Sequence, residues 1–327
     1  MFSGSHALKI WLAAVVLTLT GVSAPAYAAY PDQPVRIVLP YAPSAAGDIV
    51  MRILQPLLSD ELGQPVVIEY KSGAGGNIGS QAVARAAPDG YTLVLGATNN
   101  FVINQYLYKD MGYDPLTDFE PIGKVVDVPA FIYLNTEIPA KDFAQFRDYA
   151  KAHPGELNYG TPGAGTTPAL SGWLLSEAVQ GDLVAIQYRG SGPGVQALLA
   201  NEIQVYIGGY GIASSYLSTG KIIPLAVASA QRFDALPDVP TTAEVGIGDA
   251  VVSNWWGLAA PVGTDKAIID TLSAALQKAL ANPDAREKLA KLGFVVEPGS
   301  PEQFKASLAR EAPYWKDVIE KSGVKLN

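Results

Sequence analysis

Two loops hold most of the residues with which this chain could do chemistry. The first, Tyr41-Ala42-Pro43-Ser44-Ala45-Ala46-Gly47, follows the apolar, β-branched run Val35–Leu39 and leads to Asp48, which stands where a helix N-cap would stand. The second, Gly160-Thr161-Pro162-Gly163-Ala164-Gly165-Thr166-Thr167-Pro168, repeats that make-up of small residues, hydroxyls and a helix start, with Thr167 as cap and Pro168 at the first helical position. Both offer unpaired backbone N–H groups at a helix N-terminus, where the partial positive charge favours an anion. A carboxylate suits them, because several charge-assisted hydrogen bonds of roughly 1.5–3 kcal/mol each can hold it without a cation. Taken alone, each loop also reads as an ordinary strand-to-helix connection.

Covalent chemistry finds little support. Cysteine is absent, which removes thiol catalysis, disulfides and cysteine metal sites. Of the two histidines, His6 falls in an N-terminal export segment, and His153 lies between a predicted helix and a turn, as a solvated surface residue. Gly190-Ser191-Gly192 has the outline of a nucleophile elbow, but Arg189 replaces its first glycine and no motif links His153 to Ser191. A secreted hydrolase is therefore a remote alternative. Gly73-Ala74-Gly75-Gly76-Asn77-Ile78-Gly79 is one residue too long for the dinucleotide fingerprint, so close backbone approach is the better account and no cofactor or metal is expected. The formal charge of −8 leaves no basic footprint for nucleic acid. An acidic surface repels anions at long range, so an anionic ligand must be held by local donors.

The elements that position these loops follow from periodicity and punctuation. His6 and Lys9 precede the apolar run 10–19, and Ala26-Tyr27-Ala28 closes it with small residues, which predicts a signal peptide over 1–28, cleaved after Ala28 and too short to span a membrane. Strands are expected at 35–39, 66–69 and 91–95, the last ending in Gly96-Ala97-Thr98-Asn99-Asn100-Phe101; residues 109–123 read as turn-rich. A second unit alternates strands at 130–134, 157–159, 183–187, 204–207 and 223–228 with helices, as one parallel αβ domain. Asn254-Trp255-Trp256-Gly257 opens an apolar strand, and helices follow, among them one with a capping box at Ser300-Pro301-Glu302-Gln303 and a kink at Pro313. These last elements return to the first domain. The expected fold is α/β with two Rossmann-like domains, 29–128 plus 252–327 and 129–251, joined by a two-strand hinge of the kind that closure around a ligand requires.

Several motifs together resemble the solute-binding proteins of tripartite tricarboxylate transporters, the Bug family of periplasmic receptors. They are Gly73 to Gly79, Ala86-Ala87-Pro88-Asp89-Gly90-Tyr91-Thr92-Leu93, Leu157-Asn158-Tyr159-Gly160, Tyr188-Arg189-Gly190-Ser191 and Ala235-Leu236-Pro237-Asp238-Val239-Pro240-Thr241. The resemblance covers essentially the whole mature chain. It implies a type-two periplasmic binding fold, or Venus flytrap, that captures a small carboxylate and delivers it as a monomer to two membrane subunits. By position, it implies ligand contacts from Tyr41, Ser44, Ala45, Ala46 and Gly47, from Asn99 and Asn100, and from Thr161, Gly163, Gly165, Thr166, Thr167, Tyr188 and Gly190. Ser44-Ala45-Ala46 replaces the family's paired glycines, Ala169 a frequent histidine, and Gly208-Gly209 an Asp-Asn, which opens that wall for a bulkier ligand. Tyr41, Phe101, Tyr188, Tyr210 and Trp255 all fall on predicted ligand-facing loops, with Gly208 supplying room, so a carboxylate with an apolar or aromatic body is expected. A receptor that signals to a membrane sensor uses the same hinge and cleft and is the alternative reading.

Overall fold

The computed structural model describes residues 30–43 and 45–326; the predicted signal peptide and Ser44 lie outside the described residues. In chain order the strands are β1 (Val35–Leu39), β2 (Val66–Tyr70), β3 (Thr92–Ala97), β4 (Phe119–Val128), β5 (Ala130–Asn135), β6 (Asn158–Thr161), β7 (Val184–Gln187), β8 (Val205–Gly209), β9 (Ile222–Ala228) and β10 (Asn254–Pro261). They form two five-stranded sheets, ordered β2-β1-β3-β10-β4 and β7-β6-β8-β5-β9. Only Pro129 separates β4 of one sheet from β5 of the other, and the chain returns just before Asn254 to enter β10.

Both sheets are mixed. Strand β10 runs antiparallel to β3 and β4, and β5 runs antiparallel to β8 and β9. The expectation of an all-parallel second domain is corrected on this point. The strand that enters from the other lobe runs away from the crossing, whereas β6, β7, β8 and β9 each run back toward it. Residues 119–128, partly read as turns, form a ten-residue strand. Pro121 is tolerated there because β4 lies at the sheet edge, where one side of the strand needs no ladder partner.

The helices are α1 (Ala46–Leu62), α2 (Asn77–Ala84), α3 (Asn104–Leu107), α4 (Phe143–Ala152), α5 (Thr167–Val179), α6 (Ser191–Leu199), α7 (Tyr210–Leu217), α8 (Lys266–Ala281), α9 (Pro283–Lys291) and α10 (Pro301–Ser322). Local chemistry sets several of their starts. Asp142 caps α4 by accepting from the Gln145 amide at 2.8 Å, Asn282 caps α9, and Ser300 with Gln303 closes a reciprocal capping box on α10. Helix α1 begins earlier than expected: Ala45 is its N-cap, and Asp48 lies inside the first turn.

On one face of the first sheet, Val50, Met51, Leu54 and Leu58 of α1 meet Leu272 and Leu276 of α8. The other face holds Val38, Val94, Phe101, Trp255, Phe304 and Trp315, and it also takes in Leu170 from α5 of the second lobe. Leu170 is 1% exposed, and Trp173 and Leu174 pack beside it. Burying one such leucine contributes about 1.5–3 kcal/mol, so α5 fastens the lobes together on that flank. Close approach also decides Gly257, where a Cβ would land on the Phe304 ring. Gly257→Ala is expected to lower the unfolding free energy by about 1–3 kcal/mol in urea titration, because neither strand nor ring can retreat in a close-packed core.

Candidate functional site

Because β1, β2, β3, β6, β7 and β8 all point their carboxyl ends at the crossing, the loops that follow them face one another across it. Three helices begin there. In the first turns of α1, α5 and α6, the amides of Ala46, Gly47, Thr167, Ala169 and Gly192 find no backbone acceptor among the described residues. These donors and the helix dipoles make the seam an anion-seeking surface built from neutral groups.

The threonine hydroxyls expected to meet a ligand are committed within the protein. Thr161 Oγ1 donates to Gly163 O and accepts from Gly163 N, both at 3.0 Å, and Thr166 Oγ1 donates to Gly163 O at 2.7 Å. They shape the loop and, with the Gly163 and Thr166 amides also engaged, leave those of Ala164 and Gly165 without a backbone acceptor among the described residues. Thr167 Oγ1 crosses the seam and donates to Asn99 Oδ1 at 3.3 Å. Asn99 Nδ2 in turn donates to Gly165 O at 3.0 Å, so one side chain of lobe one holds the helix-proximal end of the lobe-two loop at two points. Gly165 lies close enough that a Cβ would come within 2.7 Å of Leu107 and 2.9 Å of Leu326. Val252 N donates to Ser171 Oγ at 3.1 Å, and Tyr314 OH to Asp249 O at 2.9 Å, on the same flank.

Asn100 is 1% exposed and positions the loop behind the site. Its Oδ1 accepts from Ala97 N at 3.0 Å and from Tyr41 OH at 2.9 Å. Asn104 Nδ2 donates to Asn77 Oδ1 at 2.7 Å and to Gly75 O at 3.1 Å. The glycine-rich turn is thus a receptacle for asparagine amides: at Gly76, with φ +93°, a Cβ would collide with Asn100. Tyr41 packs edge-on against Trp256 at 5.2 Å, and its phenol is pushed well above the ordinary value, chiefly by burial. Gly47 lies on the same Trp256 ring, leaving no room for a side chain.

Two expected ligand contacts are corrected. Phe101 and Trp255 are 1% and 3% exposed and stack on each other at 6.0 Å within the first lobe's core. The π-turn Asn99–Ile103 rotates Phe101 inward, and Trp255 faces α10, where its Nε1 donates to Glu311 Oε2 at 2.8 Å. Tyr210 lies against Phe131 and Phe233 and meets Gly293 of lobe one, and Gly208 backs onto Ile212. Tyr188, half-buried, lies at the end of β7 beside Gly190, whose φ of +100° sets the start of α6. Asn254 was not singled out by sequence reasoning as a contact, since a lone asparagine opening an apolar strand looks like a boundary residue. It pairs with Val128 at the crossing, and its Oδ1 is buried without a partner.

Charge near the anion-seeking turn is neutralised. Asp48 is 4% exposed, accepts from Tyr70 OH at 2.6 Å and pairs with Arg52 Nε at 2.9 Å. At the seam's other edge, a groove of about 710 Å³ is lined by Arg232, Phe233, Arg286, Ala290, Phe294 and Val296. Arg232 is held there by both oxygens of Glu244, whose carboxyl it keeps down at about 2, and Lys291 pairs with Glu287.

Beside the hinge, Lys124 Nζ lies 2.5 Å from Asp127 Oδ2. Burial raises the carboxyls of Asp127 and Glu311 above their ordinary range, and Lys124 opposes both shifts. A carboxyl with a raised folded pKa binds its proton more tightly folded than unfolded, so its contribution to stability falls as pH rises through that interval. Lys124→Met widens the interval; its stability deficit in urea is expected to grow from mildly acidic to neutral pH. Asn99→Ala removes two lobe-bridging hydrogen bonds of about 0.5–1.5 kcal/mol each, and small-angle scattering of the ligand-free protein is expected to show a larger radius of gyration.

Among the described residues no helix is long and apolar enough to cross a membrane. The family model described as the tripartite tricarboxylate transporter family receptor matches residues 50–324. Protein BugT of Bordetella pertussis is 32% identical over 314 residues, covering 95% of this chain and 96% of its own. Among solved structures, a protein of R. palustris with adipate is 31% identical at a TM-score of 0.79, covering 90% of this chain and 99% of its own. MatC from Rhodopseudomonas palustris with bound malate is 32% identical at 0.75, covering 89% and 100%. With two mixed α/β lobes facing each other across a double crossing, the chain belongs to the tripartite tricarboxylate transporter receptor family, whose members are solute-binding proteins.

Proposed function

We propose that the protein is a periplasmic receptor that closes its two lobes on a small carboxylate, carries out no chemistry on it, and delivers it as a monomer to two membrane subunits of a tripartite tricarboxylate-type transporter. The observation that carries this reading is the convergence of three unpartnered helix N-termini on one seam. An acidic protein can hold an anion there because the donors are local and neutral, and the nearest acid, Asp48, is offset by Arg52. The relatives with adipate and malate support the ligand class. Ala45, Ala46, Gly47, Gly165, Thr167, Tyr188 and Gly190 are the proposed contacts, with Gly163 committed inside its loop and Asn99 and Asn100 positioning the loops that bear them.

The body of the ligand is the finer part of the proposal. With Phe101 and Trp255 in the core, the apolar surface beside the loops comes from Tyr188 and from the exposed Ile49 and Ile78. An aliphatic chain fits these better than a ring that needs stacking partners. A ligand at 100 times its Kd stabilises the folded protein by about 2.7 kcal/mol, enough to read as a rise in Tm. A thermal-shift panel on the mature protein is expected to respond to aliphatic mono- and dicarboxylates, adipate and malate included, more than to benzoate and phenylacetate. Absence of a shift with every acid overturns the reading; a response to aromatic acids alone overturns the aliphatic body.

A further inference from the structure

The first residue of β10 is the most informative polar group that the anion-seeking loops leave unexplained. Asn254 Oδ1 is buried and accepts no hydrogen bond, although the residue as a whole is only half-buried. A buried polar atom left unpaired is costly and calls for an explanation; Tyr133, Tyr206 and Trp315 leave theirs deep in the lobe cores, whereas Asn254 leaves its own at the crossing between lobes. Two residues along the strand, on the same face, Trp256 Nε1 is also buried and unpartnered. An acceptor and a donor therefore lie on the face of the sheet that carries α1.

The neighbours of this pair place it at the seam. Trp256 is the ring against which Tyr41 and Gly47 pack, so it lies directly beneath the first turn of α1. Asn254 is the cross-strand partner of Val128, and opposite side chains of an antiparallel pair share a face. Across the crossing, a Cβ on Gly209 would come within 2.9 Å of Val128, so lobe two presents bare backbone there. Asn254 is the side chain at this point with an acceptor to give. It also begins β10 immediately after the chain has crossed between lobes, so closure moves it relative to lobe two.

We infer that Asn254 is a specificity-determining residue of the cleft, accepting through Oδ1 a hydrogen bond from a hydroxyl or ammonium carried by the ligand near its carboxylate. The inference rests on the carboxylate reading and narrows it: substituted acids, such as hydroxy acids, are preferred over their unsubstituted counterparts. The donors at the helix N-termini hold the carboxylate, and Asn254 tells one acid from another.

Matched pairs test this by isothermal titration: malate against succinate, and 2-hydroxyadipate against adipate, with the full mature chain and with Asn254→Leu and Asn254→Ala. The hydroxylated member is expected to bind about tenfold tighter to the native protein, the worth of one well-made hydrogen bond. Asn254→Leu should erase that preference while changing the affinity for succinate or adipate less than about twofold, and should leave Tm unchanged or raised, since it replaces an unpaired acceptor with an apolar group of similar size. A preference that survives in Asn254→Leu, or an equal affinity of both members for the native protein, overturns the inference. A marked fall in Tm for Asn254→Leu overturns it too, because the amide would then have a structural partner. If neither member of either pair binds the native protein, the carboxylate reading itself fails, a result distinct from binding without discrimination.

Discussion

Strand β10 lies between β3 and β4 and runs against both, and that placement constrains the rest of the molecule. Its first residue pairs with the last residue of β4, so the two crossings between lobes lie side by side as one hydrogen-bonded ladder. Two short adjacent connections are the kind of link about which lobes rotate in hinge closure. The same placement turns the carboxyl ends of the parallel strands in both sheets toward one seam. Free helix N-termini gather there because each of those strands is followed by a helix. The site is a consequence of topology before it is a consequence of any side chain.

The electrostatics of the seam follow from that economy of means. A protein of net charge −8 has no field with which to draw in an anion, and its loops carry few cations. In the proposed reading it relies on amides whose partial charges are fixed in place by turns of threonine, glycine and asparagine. Thr161, Thr166 and Asn100 contribute by holding other groups still, and this rigidity is what preorganises the amides. Asp48, set in the first turn of α1, would work against an anion there, and its pairing with Arg52 and Tyr70 keeps its charge from the seam.

Much of the architecture is legible in the sequence because parallel strand-helix units leave strong punctuation: an apolar run, a cluster of small residues, then helical periodicity. The family is legible in the combined motifs, of which Pro88-Asp89-Gly90-Tyr91 and Tyr188-Arg189-Gly190 are examples. What resists reading has physical causes. Strand β4 hides behind Pro121, which an edge strand accepts and an interior strand would not. Position on a loop does not reveal direction, and a π-turn sends Phe101 into the core while leaving Asn99 at the seam. Adjacent tryptophans on a strand must face opposite ways, so only one of Trp255 and Trp256 can lie under α1, and the sequence does not say which. The role of threonine hydroxyls is equally silent, since capping, loop closure and ligand contact use the same residue type.

Helix α5 belongs to lobe two by chain connectivity, but its Leu170 is lodged among the core residues of lobe one, with Ser171 and Thr167 bonded alongside. On that flank the lobes are joined by packed side chains and hydrogen bonds as well as by the paired strands of the double crossing, so α5 is a third attachment between them, made by side chains where the other two are made by backbone.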